Sequence, residues 1–152
     1  VVGAKIGRPD VPVVGFSGDG AFGIAVNELT AIGREEWPAV TQIVFRNYQW
    51  GAEKRNSTLW YDDNFVGTEL DTQVSYAGIA KACGLQGVVA KTMDELTEAL
   101  RTAIKDQMEN GKTTLIEAMI NQELGEPFRR DAMKKPVAIA GISVSDMQEQ
   151  AV

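Results

Sequence analysis

Hydrophobic residues recur along the chain in four short, nearly continuous runs, at residues 11–16, 40–45, 87–90 and 113–120. Strands that are buried on both faces of a parallel sheet carry such runs, because side chains on both faces must avoid water. The pattern therefore predicts four buried strands that lie parallel to one another.

Between these runs, apolar residues follow a helical spacing. Residues 21–34, 71–82 and 92–108 place apolar side chains three or four positions apart, and Val74 is among those predicted to face inward. Residues 1–7 read as the end of a further helix, since a glycine and a proline follow closely. A helix is therefore predicted before and after most of the strands along the chain.

The ends of these helices carry recognisable signals. Thr92 and Glu95 form a capping-box pattern at the start of the long helix, and Asn110 with Gly111 ends it. Gly84 is the predicted stop of the helix before it. These signals predict where the two helices of the second half begin or end.

Strands and helices alternate, which is the pattern of an α/β fold with a parallel sheet covered by helices on both faces. Residues 47–63 predict a turn and a short helix. We predict one domain over residues 1–120 and a tail over residues 121–152 that packs on this domain or on a partner subunit. Because the chain starts on Val1 with an apparent helix end, we expect a piece of a longer protein, with the sheet incomplete at the N-terminus.

Composition narrows the function. Fifteen basic against 21 acidic residues give a net charge of −6, which argues against nucleic-acid binding, and no apolar run is long enough to cross a membrane. Cys83 is the single cysteine, which favours a reducing, cytoplasmic location. The absence of histidine excludes Ser-His-Asp and Cys-His catalysis within these 152 residues.

The stretch FSGDGAF places Asp19 between Gly18 and Gly20, after the first strand and before a helix predicted from Ala21. A helix N-terminus preceded by glycines suits a phosphate group. A carboxylate would repel that phosphate unless a cation lay between them, so Asp19 predicts a divalent metal. A GDG sequence alone is more often a simple turn.

A second stretch, RNYQWG, strengthens the hypothesis. Asn47 follows the second strand and can supply an amide oxygen, while the backbone carbonyl of Gln49 supplies another if the chain turns sharply at Gly51. Such oxygens suit Mg²⁺. In parallel sheets, ligands bind beyond the carboxyl ends of the strands, where Asp19 and Asn47 both fall. An isolated asparagine there is more often a turn residue, so the pair carries the prediction.

The two stretches together resemble the cofactor motif of thiamine-diphosphate-dependent enzymes: GDG, 26 intervening residues, then asparagine. That motif usually ends in two asparagines, and Arg46 stands in place of the first. The resemblance implies thiamine diphosphate and Mg²⁺ as cofactors. It implies a metal held by Asp19, Asn47 and the Gln49 carbonyl, a diphosphate near Gly18 and the amides of Gly20 and Ala21, and cofactor contacts from Trp50, Gly51 and Ala52.

The stretches RNYQWGAEKRN, FVGTEL, GKTTLIEAM and ELGEPFRRDAMKKPV are similar to the sulfoacetaldehyde acetyltransferase branch of this family. That branch converts sulfoacetaldehyde and phosphate to acetyl phosphate and sulfite. The alternatives are an acetolactate synthase-like carboligase, a 2-oxo-acid decarboxylase, or a catalytically inactive cofactor-binding fragment.

The resemblance also implies that no catalytic side chain lies in this chain. In the family, the glutamate that activates the cofactor belongs to an N-terminal domain of the partner subunit, and Glu28 does not replace it. We therefore predict that the isolated chain is inactive, and that the full-length protein is a homodimer or homotetramer.

Basic residues offer a further hypothesis. Both implied substrates are anions, so Lys54, Arg55, Arg129 or Arg130 could bind a sulfonate or a phosphate. The alternative for Lys54 and Arg55 is a solvated helix face, and for Arg129 and Arg130 a surface tail that pairs with acidic neighbours.

Overall fold

A four-stranded parallel sheet organises the protein, whose computed structural model describes residues 1–123. The strands are β1 (Val14–Gly18), β2 (Thr41–Arg46), β3 (Gln86–Ala90) and β4 (Thr114–Met119). Their order across the sheet is β1-β2-β4-β3, and each neighbouring pair runs parallel. The predicted parallel α/β sheet is therefore confirmed.

Helices connect the strands. They are α1 (Val2–Gly7), α2 (Asp19–Ile24), α3 (Leu29–Ile32), α4 (Gly51–Trp60), α5 (Tyr76–Ala82) and α6 (Met93–Glu109), with a 3₁₀ turn at Val26–Glu28. The described residues fall into two compact units. The first comprises Val1–Trp50 and Gly67–Gln122 and contains the sheet, whereas Gly51–Val66, with α4, belongs to the second.

Two apolar clusters cover the two faces of the sheet. Because neighbouring residues of a strand point to opposite faces, Val44 and Ile43 of β2 enter different clusters. Val44 packs with residues of α3 and α5, including Leu29 and Ala80. Ile43 packs with Ala103 of α6 and with residues of the neighbouring strands. Helices thus lie on both faces, as predicted.

The end signals of the second half are confirmed. Thr92 Oγ1 accepts a hydrogen bond from the Glu95 amide at 3.2 Å, and Glu95 in turn accepts one from the Lys91 amide at 2.6 Å. Gly84 and Gly111 have positive φ angles of 81° and 61°, the conformation that ends a helix at little cost for glycine.

The first strand begins at Val14 rather than at residue 11. The backbone before it is bound by side chains: Val11 O accepts from Lys5 Nζ at 2.8 Å, and the Val13 amide donates to Gln107 Oε1 at 2.7 Å. Apolar sequence alone could not distinguish a strand from a segment held by such side chains.

The continuous helix predicted over residues 21–34 is wrong, since the segment divides into α2, the 3₁₀ turn and α3. Glycine is a weak helix former, and Gly23 lies where a Cβ atom would come within 2.7 Å of the Tyr76 hydroxyl. The close approach of Tyr76 therefore requires a residue that weakens the helix.

The helix predicted from residue 71 begins at Tyr76, with Ser75 as its N-cap. Arg46 Nη2 instead binds the carbonyls of Asp71 and Val74, at 2.6 and 3.0 Å. The Val74 side chain, predicted to face inward, is 40% exposed. A long-range contact thus replaces the first predicted turn of this helix.

Candidate functional site

Asp19 and Asn47 meet because β1 and β2 are neighbours in the sheet. The strands pair in parallel with Gly18 opposite Phe45, so the residues that follow them emerge at the same edge. Asp19 is 1% exposed although it carries a carboxylate. A buried carboxylate needs partners that compensate its lost hydration, and the site is built from those partners.

The two oxygens of Asp19 have different surroundings. Oδ2 accepts from Arg46 Nη1 at 3.2 Å, from the Asn47 amide at 3.2 Å and from the Tyr48 amide at 2.7 Å. Oδ1 accepts from the Gly20 amide at 2.9 Å. Oδ2 is therefore saturated with donors, whereas Oδ1 keeps the capacity to bind a cation.

The side-chain amide of Asn47 lies close to two oxygens of the other predicted metal ligands. It ends 3.2 Å from Asp19 Oδ1 and 3.1 Å from the backbone oxygen of Gln49, and in the orientation that satisfies its surroundings its nitrogen donates to both. Ligand oxygens about 2.1 Å from an octahedral Mg²⁺ ion lie about 3.0 Å from each other along an octahedral edge. Turned over, the amide would place Asn47 Oδ1 at these same distances from the two oxygens. With the amide in that orientation, the three residues fit a divalent cation that takes one oxygen from each.

These ligands include one carboxylate. No group of three or more Asp, Glu, Cys or His side chains suited to a metal occurs in residues 1–123. A site with so few charges needs an anionic ligand to complete it, as Mg²⁺ sites that use substrate phosphates do.

The sharp turn lies at Tyr48, not at Gly51 as predicted. Tyr48 has a φ angle of 61°, in the left-handed region that a bulky residue rarely adopts, whereas Gly51 opens α4. The hydrogen bond from its amide to Asp19 and the contact of its ring with Arg46, 4.2 Å from centroid to guanidinium carbon, hold it there. Turns with a positive φ angle are predicted from glycine, asparagine or aspartate, so a tyrosine gives no sequence signal for one.

Arg46 is the main site residue that the sequence did not reveal. Its side chain is 1% exposed, and its guanidinium carbon lies over the rings of Tyr48 and Tyr76, 4.2 and 4.9 Å from their centroids. Nη1 is 3.2 Å from Asp19 Oδ2, and Nε is 3.5 Å from Glu117 Oε1. Arg46 thus joins two carboxylates that are buried in the sheet.

Glu117 lies within β4 and is 3% exposed. Its Oε2 accepts from Ser75 Oγ at 2.9 Å and from the Ala77 amide at 3.1 Å, so it binds the N-terminus of α5. The signal that could have revealed it is an acidic residue inside an apolar strand, where a buried charge requires a partner.

Tyr76 binds the backbone of Asp19. Its hydroxyl donates to the Asp19 carbonyl at 3.0 Å, and its ring meets Phe22 edge to face at 5.2 Å. Burial raises the pKa of Tyr76 above its ordinary 10.0. The phenol therefore stays protonated and remains a hydrogen-bond donor to the Asp19 carbonyl.

The other residues predicted for the cofactor divide between the two units. Gly18 ends β1, and Gly20 and Ala21 lie in the first turn of α2. A Cβ atom on Gly20 would lie 2.8 Å from Trp50 Cε3, so the indole packs directly on this glycine. The Gly20 amide, predicted to meet the diphosphate, donates to Asp19.

Gly51 and Ala52 begin α4 in the second unit. Lys54 and Arg55 follow on the same helix, where Lys54 Nζ lies 5.3 Å from the centroid of the Phe65 ring. Arg129 and Arg130 lie outside the described residues.

Comparison with known proteins connects this geometry to a family. Residues 1–118 match the family described as thiamine pyrophosphate enzyme, C-terminal TPP binding domain; thiamine pyrophosphate (TPP) is thiamine diphosphate. The chain is 86% identical over 152 residues to a sulfoacetaldehyde acetyltransferase of Roseovarius nubinhibens, covering 100% of this chain and 25% of that protein. It is 78% identical over 150 residues to one of Rhodobacter capsulatus, covering 99% and 25%. The chain thus spans a quarter of the length of these relatives.

The fold has known counterparts as well. The thiamine diphosphate-dependent 4-hydroxybenzoylformate decarboxylase of Rhodococcus jostii superposes with a TM-score of 0.65 at 24% identity, over 82% of this chain and 22% of that one. At this identity the likeness concerns the fold. Within the part of the chain that the structure describes, no helix has both the length and the apolar character needed to cross a membrane.

Proposed function

The chain belongs to the family of C-terminal TPP binding domains of thiamine pyrophosphate enzymes, and from this premise we propose that it is the cofactor-binding part of a Mg²⁺-dependent sulfoacetaldehyde acetyltransferase. The proposed reaction converts sulfoacetaldehyde and phosphate to acetyl phosphate and sulfite. The substrate assignment is supported by 86% identity over the whole chain to a relative with that name. We assign the enzyme to the cytoplasm, which the single cysteine favours.

The observation that carries the cofactor proposal is that the Asn47 amide lies 3.2 Å from Asp19 Oδ1 and 3.1 Å from the Gln49 carbonyl oxygen. In the proposed site the amide would turn over, and each residue would give one oxygen to Mg²⁺: Oδ1 of Asp19, Oδ1 of Asn47 and the Gln49 carbonyl. The diphosphate would supply the negative charge that the protein ligands lack, and the bound cofactor acts as the electron sink of the reaction.

The remaining predicted contacts keep their proposed roles. Gly18 and the amides of Gly20 and Ala21 would lie near the diphosphate, and Trp50, Gly51 and Ala52 would lie along the cofactor. The packing of Trp50 on Gly20 supports this proposal, because it places an aromatic face beside the turn that follows β1.

Lys54, Arg55, Arg129 and Arg130 are proposed to bind the anionic substrates. An alanine substitution at a residue that contacts phosphate should raise the Michaelis constant for phosphate. A substituted residue that leaves this constant unchanged is excluded from the phosphate site.

The test uses the full-length protein that contains this chain, with thiamine diphosphate, Mg²⁺ and phosphate. Sulfoacetaldehyde is added, and both sulfite and acetyl phosphate are measured. We expect phosphate-dependent release of sulfite, and its loss in Asp19→Ala because the metal loses its carboxylate ligand. Asp10→Ala, at a carboxylate that pairs with Arg8 on the surface, is the matched control and should retain activity.

Pyruvate serves as the rival substrate. Consumption of pyruvate without sulfite release would assign the protein to the acetolactate synthase-like or decarboxylase alternatives, while retaining the cofactor site. Undiminished sulfite release by Asp19→Ala would refute the proposed metal ligand.

A further inference from the structure

Arg46 cannot readily leave Asp19, because three parts of the chain hold it. Its Nη2 binds two carbonyls of the segment before α5, at 2.6 and 3.0 Å. Two tyrosine rings contact the guanidinium group, and Glu117 Oε1 lies 3.5 Å from Nε. The positive charge is therefore a fixed part of the site rather than a mobile surface group.

This charge acts directly on the proposed metal ligand. Arg46 Nη1 lies 3.2 Å from Asp19 Oδ2, and both side chains are at most 2% exposed. In such an environment charges are weakly screened, so a cation that approaches Oδ1 meets a carboxylate that is already paired with another cation. With all three groups ionised, Asp19, Arg46 and Glu117 together carry a single net negative charge.

We propose that Arg46 is a positioning residue that counterbalances Asp19 and keeps the affinity for a divalent cation low until the diphosphate of the cofactor is present. Metal and cofactor then bind together, because the diphosphate supplies the negative charge that the protein withholds. This inference rests on the proposed function, since it assumes that Asp19 binds the metal of a thiamine-diphosphate site.

The reciprocal nature of linkage makes the proposal quantitative. If thiamine diphosphate raises the affinity for the metal by some factor, the metal raises the affinity for thiamine diphosphate by the same factor. Because the charge of Arg46 is present with and without the cofactor, removing it should raise the affinity for the metal in both states. A purely structural role predicts the opposite, because a loosened Asp19 would bind the metal more weakly.

The experiment measures Mn²⁺ binding by electron paramagnetic resonance, with Mn²⁺ as a paramagnetic substitute for Mg²⁺. The full-length protein is titrated with and without thiamine diphosphate, as wild type, Arg46→Gln, Glu117→Gln and the double variant. The amide introduced by Glu117→Gln would keep an oxygen for the N-terminus of α5, so this variant changes charge with little change in shape. Circular dichroism confirms that each variant is folded.

Without cofactor, we expect the Mn²⁺ dissociation constant to fall by roughly tenfold or more in Arg46→Gln, since a unit positive charge is removed from beside the ligand. It should rise in Glu117→Gln, and the double variant should lie between the two. The wild type should bind Mn²⁺ much more tightly when thiamine diphosphate is present.

The possible failures are distinguishable. If the wild type does not bind Mn²⁺ even with thiamine diphosphate, the proposed function is wrong. If the wild type binds it but Arg46→Gln leaves the dissociation constant unchanged or raised, this inference is overturned. Should Arg46→Gln fail to fold by itself, the double variant decides: a Mn²⁺ dissociation constant below that of Glu117→Gln supports the inference, and one that is equal or higher overturns it.

Discussion

At the scale of single residues, Asp19 shows how a buried carboxylate is fixed by distant parts of the chain. Its side chain binds Arg46 and the amides at the end of β2, while its backbone carbonyl binds Tyr76. Each contact satisfies a polar group that burial would otherwise leave at a cost of about 1–3 kcal/mol. The geometry of Asp19 is therefore set before any ligand binds.

The hydroxyl of Tyr76 should contribute to the stability of the fold. Tyr76→Phe keeps the ring contacts with Phe22 and Arg46 but leaves the Asp19 carbonyl without this donor. We expect the free energy of unfolding in urea to fall by about 1–2 kcal/mol. Tyr61→Phe, at a tyrosine that is 37% exposed, is the control and should change it by less than about 0.5 kcal/mol. Equal effects of both substitutions would contradict the role assigned to Tyr76.

At the scale of elements, two polar or close contacts with the sheet add to the apolar packing that positions helix α5. Glu117 of β4 binds its N-terminus through Ser75 Oγ and the Ala77 amide. Gly87 of β3 lets the helix backbone approach, since a Cβ atom there would overlap the Ala77 carbonyl group and lie 2.8 Å from its carbon. The helix that carries Tyr76 thus depends on the charge of Glu117 and on the absence of a side chain at Gly87, in addition to its apolar packing.

Gly87→Ala should therefore separate α5 from the sheet. Because the obstructing atoms belong to backbone, which cannot rotate away, we expect a loss of about 2 kcal/mol or more in the free energy of unfolding. Faster amide hydrogen exchange in α5 and β3 would locate the effect.

Gly3→Ala is the matched control for this substitution. Gly3 lies in α1, and a Cβ atom there meets nothing within 4 Å. Alanine favours helix over glycine by up to about 1 kcal/mol, so this variant should be as stable as the wild type or slightly more stable. A Gly87→Ala protein as stable as Gly3→Ala would show that α5 does not need this close approach.

Helix α6 offers a prediction that the sequence alone supports. Thr92→Ala removes the oxygen that accepts from the Glu95 amide, and we expect a loss of about 1 kcal/mol. Thr92→Ser keeps a hydroxyl at the cap and should retain most of the stability that Thr92→Ala loses. Thr97→Ala, which removes a hydroxyl bound to a carbonyl of the same helix, is the comparison and should not destabilise. The free energy of unfolding in urea measures all three, and similar values for Thr92→Ala and Thr97→Ala would contradict the cap.

At the scale of the whole molecule, the chain belongs to a family of C-terminal TPP binding domains, and we propose that the group that activates the cofactor lies outside it. The family resemblance assigns that role to a glutamate of the partner subunit, outside these 152 residues. The chain also spans a quarter of the length of its relatives. We therefore propose that activity requires the full-length homodimer or homotetramer.

The isolated chain should release no sulfite from sulfoacetaldehyde, even with thiamine diphosphate, Mg²⁺ and phosphate added. The full-length protein, assayed under the same conditions, is the positive control, and sedimentation analysis determines its oligomeric state. Sulfite release by the isolated chain above that of a sample without protein would contradict this prediction.

The sequence by itself determined the class of fold and the ends of several elements. Buried strands, the Thr92 cap and the stop at Gly84 depend on neighbouring residues, whose effects can be read along the chain. The GDG and asparagine signals also led to Asp19 and Asn47, because residues that follow parallel strands emerge at one edge of a sheet.

Only the tertiary structure decided the order of the strands and the surroundings of Asp19. Arg46 and Glu117 come together because β2 and β4 are neighbours in the sheet, and this pairing leaves no mark on the sequence near either residue. The left-handed conformation of Tyr48 likewise depends on a hydrogen bond to a residue far away in the chain. Contacts between distant residues form only when the whole sheet assembles, so local patterns could not predict them.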